Sequence, residues 1–173
     1  MLGMIRRSFE HLEKDTFVWL YKALIRPQLE YCHHIMYPKL VKTWNLLEGV
    51  QRRATRLTPG MNGLDYHERL QALSLPSVYY RLTRGDMIEV YKHVHDYYSV
   101  PLPFELDVNP RTRGHAFKVK KPRCSTNIRQ SFFSFRVVQD WNSLPHNVAE
   151  APSLNSFKSR LDKHWVHRHY LIK

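Results

Sequence analysis

Eight lysines and arginines lie between Arg111 and Arg136, with no carboxylate among them. They are Arg111, Arg113, Lys118, Lys120, Lys121, Arg123, Arg129 and Arg136, and they carry +8 of a net +12. Phe117, Phe132, Phe133 and Phe135 are interleaved with them. Cations neutralise phosphates and aromatic rings stack on bases, so the mixture has the character of a polyanion footprint. The plainer alternative is a loop kept soluble by its charge. Phe133 reads as core, because it shares a helical stripe with Trp141; Phe117 fits either role. A second basic group, Arg52, Arg53 and Arg56, stands in QRRATRLTPG, residues 51–60.

Groups that could catalyse are harder to assemble. A two-metal polymerase or nuclease centre needs carboxylates held close enough to share a divalent ion. The chain has no Asp-Asp pair, no Gly-rich phosphate loop and no serine elbow. Cys32 beside His33 lacks an orienting partner in the sequence. Of the 11 histidines, His93 and His95 fall on different faces of a helix. His164 and His167, with His169 and the distant Cys124, form an incomplete zinc set. The expectation is a protein that is not an enzyme and holds neither metal nor cofactor.

Hydrophobic periodicity defines the elements that position these groups. Leu40, Trp44, Leu47, Val50, Ala54 and Leu57 recur at helical spacing, so residues 40–57 are expected to be a helix ended by Pro59-Gly60. Arg52, Arg53 and Arg56 then occupy a sector of about 100° away from most of that stripe. The face is either ordinary solvated surface or a nucleic-acid grip. Asp15 is placed to cap TFVWLYKALIR, and Pro27 to stop or kink it. Asn62 or Asp65 caps a short helix before Pro76. A long helix over 77–98 carries Tyr80, Met87, Val90, Tyr91 and Val94 on one side. Gly85 interrupts that helix, and a close helix-helix contact would account for it. Two further stripes are Phe133, Val137, Trp141 and Leu144, and then Leu154, Phe157, Leu161 and Trp165, the latter capped by Ser153. Pro101, Pro103 and Pro110 mark a linker, and the partial alternation from Gly114 suggests a short strand or hairpin.

The resulting expectation is a mainly α fold, a helical bundle with a small basic β-hairpin or irregular segment near 111–128. Its expected organisation is a helical lobe over 1–98, a linker over 99–110, and a basic hairpin with C-terminal helices over 111–173. No apolar run is long enough for a membrane span, and no signal peptide is recognisable at the N-terminus. Two separated cysteines make no disulfide framework, which favours an intracellular setting.

LYKALIRPQLEY, EGVQRRATRL and YHERLQALSLPSVYYRLTRGDMIEVYK resemble the region after the polymerase core of non-LTR retrotransposon reverse transcriptases, of the jockey-like and chicken-repeat-like kind. TRGHAFKVKKPRC, SFFSFRVVQDWNSLP and APSLNSFKSRLDKHW continue the resemblance in the same order, over nearly the whole chain. HHIMYP, residues 33–38, departs from that pattern. The resemblance implies a thumb and post-polymerase segment that helps to hold template RNA, RNA–DNA duplex or DNA through phosphate contacts. It places Arg52, Arg53 and Arg56 near nucleic acid, while the charge of the basic block is what assigns Arg111, Arg113, Lys118, Lys120, Lys121, Arg123 and Arg129 to the same partner. The family's paired-aspartate motif is absent, so the chain corresponds to a truncated, non-catalytic piece. Such a piece would also expose Leu2, Met4, Ile5 and Phe9 and could self-associate through them. The rival readings are a protein-interaction module that docks through the helix at 77–98, and a decayed copy with no selected function.

Overall fold

In a computed structural model of the chain, residues 1–9, 12–35, 37–107 and 114–173 are described. The fold is mainly helical: α1 (Leu2–Ser8), α2 (Lys14–Leu20), a π turn (Tyr21–Ile25), α3 (Arg26–Glu30), α4 (Val41–Thr55), α5 (Tyr66–Ala72), α6 (Val78–Val94), α7 (Asn127–Gln130), α8 (Phe133–Asn142), α9 (His146–Ala149) and α10 (Leu154–His164). No helix among the described residues is long and apolar enough to cross a membrane. The residues form two compact units. One takes Met1–Cys32, Leu40–Leu82 and Arg168–Lys173; the other takes His33–Lys39 and Thr83–His167. This division differs from the expected boundary at 99–110, because residues 99–107 belong to the second unit.

In the first unit Phe17, Tyr21 and Ile25 form a buried stripe across α2 and the π turn, joined by Ile5, Leu12, Ala54, Tyr66, Leu70, Leu73 and Leu75. Pro27 does not stop the chain's helical course. Arg26 N–H donates to Tyr21 O, the wider π pattern, and α3 follows at once with Pro27 in its first turn. A proline ring clashes with the carbonyl four residues back, and the π turn widens the helix there. Asp15 sits inside the first turn of α2 and does not cap it; Glu13 holds that position without a side-chain bond. Asp65 builds a full capping box for α5, accepting from Glu68 N while its own N–H donates to Glu68 Oε2, both at 2.7 Å.

The face that α4 buries is more polar than its apolar stripe suggests. Trp44, Glu48, Gln51, Ala54 and Thr55 are buried, while Leu40 is exposed and Leu47 and Val50 are half-buried. Glu48 accepts from the Tyr66 hydroxyl and, at 3.0 Å, from Val78 N, where it satisfies a free N–H at the start of α6. Gln51 accepts from Tyr21 Oη at 2.7 Å and donates to Pro76 O at 3.0 Å. Burial raises the Glu48 carboxyl above its ordinary value, against the hydrogen bond from Tyr66.

In the second unit Met87, Val90, Tyr91 and Val94 of α6 are buried, as are Val137, Val138 and Trp141 of α8 and Phe157 and Leu161 of α10. Tyr91 and Phe157 stack at 4.4 Å between centroids, and the Tyr91 hydroxyl donates to Ala151 O at 2.6 Å. Ser153 caps α10 by accepting from Ser156 N at 3.2 Å. The interruption expected at Gly85 is instead a side-chain contact within an unbroken helix. A Cβ there would lie 2.5 Å from His33 Nε2.

Candidate nucleic-acid interface

The segment before α7 is held by the last two residues of α8, Trp141 and Asn142. Asn142 accepts from Val119 N at 2.9 Å and donates to Val119 O at 2.7 Å. On the opposite edge Asp107 N donates to Lys118 O, and Lys120 N donates to Glu105 O, each at 2.8 Å. These bonds make a single antiparallel bridge, Leu106 to Val119. The expected hairpin therefore reduces to this bridge among the described residues, and its partner strand is the stretch expected to be a linker. Prolines forbid helix there but favour the extended backbone that the bridge uses. Trp141 Nε1 donates to Phe117 O at 2.7 Å, and His115 Nε2 lies 3.1 Å from Trp141 O, so the N-terminal side of the segment is fixed as well. Phe117 is half-buried against His95, at 4.7 Å between centroids, and serves packing.

Two adjoining clefts flank this segment. The first, of about 640 Å³, is lined by the paired stretches 102–105 and 120–123, together with Arg129, Ser134 and Phe135. The second, of about 1160 Å³, shares Lys120, Lys121, Pro122, Arg123 and Phe135. The helix α8 opens at Phe132 without a side-chain cap, which adds its positive end to the potential over Ser134 and Phe135.

The basic residues divide by what they already touch. Lys121 and Arg123 are exposed and make no ion pair among the described residues. Arg129 is exposed, with its guanidinium 5.3 Å from the Phe135 ring centroid. Lys120 pairs with Glu105 at 2.8 Å, both side chains well exposed; this pairing raises the lysine and lowers the glutamate from their ordinary pKa values. Lys118 is a correction: it is buried, not solvent-facing, and a Cβ on Gly114, at φ 146°, would lie 2.7 Å from its Cε. Arg136 is structural, donating to both oxygens of the buried Asp86 at 2.8 Å and to the carbonyls of His33 and His34. Arg111 and Arg113 lie outside the described residues.

Arg52, Arg53 and Arg56 are exposed on α4 in the other unit. The Arg52 guanidinium lies 4.9 Å from the Tyr66 ring centroid. The fourth arginine beside them, Arg69, is buried and donates to Thr55 Oγ1 at 3.1 Å. Its pKa is lowered by burial and then by Arg56. Glu48, one turn before Arg52, is buried and accepts from Tyr66 and Val78, so it is committed to the interior and not to these arginines.

His164, His167 and His169, an incomplete zinc set with Cys124 in the sequence, form no such cluster with it among the described residues. The cluster that the described residues do form is His33, His34 and Asp86, whose ligand atoms lie within 4.8 Å of one another. Arg136 already engages both carboxylate oxygens of Asp86, so a cation there would meet a fixed guanidinium charge. Sequence reasoning missed Phe104, Glu105 and Asn142. No local pattern marks them, because each gains its role from a partner distant in the chain. In comparisons with known proteins, no family model, curated protein or solved structure matches the chain.

Proposed function

We propose that the chain is a non-catalytic nucleic-acid-binding fragment that grips RNA, RNA–DNA duplex or DNA by its phosphates. We further propose that it derives from the region beyond the polymerase core of a non-LTR retrotransposon reverse transcriptase. The observation that carries the binding reading is the gathering of Lys121, Arg123 and Arg129, none paired with a carboxylate among the described residues, around a concave floor that includes Phe135. Free cations on a concave surface focus potential and attract a polyanion. Arg52, Arg53 and Arg56 supply a secondary contact on α4.

The rival reading offers the tyrosine- and histidine-rich helix over 77–98 for docking. Of those side chains Tyr80 and Tyr91 are buried, Tyr79, His93, His95 and Tyr98 are half-buried, and Tyr97 is exposed. Self-association through the first helix has less surface to use than expected. Ile5 is buried and Leu2 is packed against the core, which leaves Met1, Met4 and Phe9 exposed. The test of the binding reading is titration of a labelled oligonucleotide at rising salt. Affinity should fall linearly on a log–log plot, because each phosphate contact releases a counterion. No salt-dependent binding to any nucleic acid would sink it.

A further inference from the structure

The lining of the first cleft mixes two chemistries. Lys121, Arg123 and Arg129 bring charge to it, and Leu102 and Phe135 bring apolar surface. Its glutamate, Glu105, is already paired with Lys120, and the Phe104 ring is buried against His93 and Phe133. Phe135 lies between the two clefts and lines both. Phe132, 56% exposed, stands one turn from Arg129, its N–H donating to Arg129 O at 3.1 Å.

A double helix matches this arrangement poorly. It presents phosphates along both edges of each groove and keeps its base faces stacked inside, so Phe135 would gain nothing. An unpaired strand carries phosphates on one edge and base faces on the other. Its phosphates can meet the three cations while a base rests on Phe135. Base–aromatic stacking of this kind tolerates any sequence, because every base has a π-face.

We infer that the cleft takes a single-stranded nucleic-acid segment, with phosphates along Lys121, Arg123 and Arg129 and an unstacked base against the half-buried Phe135. This rests on the nucleic-acid-binding reading and narrows it to unpaired strands. A grip on phosphates alone would favour the duplex, whose charge density is higher. The expected preference therefore runs opposite to electrostatics.

The test uses the whole chain and three probes of matched length: an oligothymidylate strand, the same strand annealed to oligoadenylate, and a strand abasic at every position. Fluorescence anisotropy should find the oligothymidylate bound at least about fivefold more tightly than either of the others. Phe135→Leu, checked for unchanged helix content, should close the gap between the oligothymidylate and the abasic strand without weakening the abasic one. The inference is overturned if duplex or abasic strand binds as tightly as oligothymidylate to the parent protein, a comparison that needs no variant. If no probe binds in a salt-dependent way, the broader reading fails instead.

Discussion

At the scale of single residues, the cations of the basic block do three different jobs. Arg136 neutralises a buried aspartate, Lys118 is packed inside, and Lys121 and Arg123 face solvent uncommitted. Removing them should have opposite consequences. Arg136→Ala leaves Asp86 buried without its partner and should cost about 3–5 kcal/mol in chemical denaturation. Lys121→Gln should leave the denaturation midpoint unchanged and weaken nucleic-acid binding. A stable Arg136→Ala protein would refute the structural role. The charge of these residues is legible in the sequence, but their roles are not. Whether a lysine is buried depends on what the chain brings back to it, here Gly114 and the backbone of Asp107.

Another residue-scale consequence concerns pH. Burial pushes the His115 imidazole below its ordinary pKa of 6.5, with Lys118 adding to the effect and the Trp141 carbonyl and Glu150 opposing it. The unfolded chain then binds the proton more readily than the folded one. Stability contributed by the neutral ring is present above the ordinary value and is lost as pH falls through it toward the depressed folded value. The half-buried His34, lowered chiefly by burial, acts in the same direction. Unfolding free energy should thus decline on acidification from neutrality, and His115→Asn should flatten that decline. An equal slope in parent and variant would rule His115 out as its source.

At the scale of elements, stripes and caps are the features that local sequence encodes. Val137, Trp141 and Leu144 are buried as their spacing requires, and Phe157, Leu161 and Trp165 likewise. The caps at Asp65 and Ser153 lie where short acceptors precede apolar runs. What local sequence hides is the polar interior of the first unit. Glu48 and Gln51 sit inside only because Tyr66, Pro76 and Val78 arrive from later in the chain to bond them. Gly85 belongs to the same class: its reason is His33, more than fifty residues earlier in the sequence. Gly85→Ala should destabilise the protein despite alanine's better helix propensity. In a His33→Ala background the same change should stabilise by about 1 kcal/mol. Thermal denaturation of the four proteins of this cycle decides the point; equal effects in both backgrounds would disprove the contact.

At the scale of the whole molecule, hydrophobic periodicity anticipated a mainly helical protein and the charge distribution a polyanion partner, and the helical part is what the structure has. The expected division at 99–110 gave way because that stretch lends Phe104, Glu105 and Leu106 to the wall and edge of the basic segment. The central claim is that the cleft cations, more than the α4 arginines, hold nucleic acid. Its most direct test is the slope of log affinity against log salt for three proteins: the parent, Lys121→Gln/Arg123→Gln/Arg129→Gln, and Arg52→Gln/Arg53→Gln/Arg56→Gln. The cleft variant should lose affinity for all sequences alike. Its slope should flatten by up to about 0.7 per lost contact on a single strand, or about 0.9 on a duplex. The α4 variant should show the same effect to a smaller degree. A folded cleft variant with the parent's affinity and slope would contradict the account.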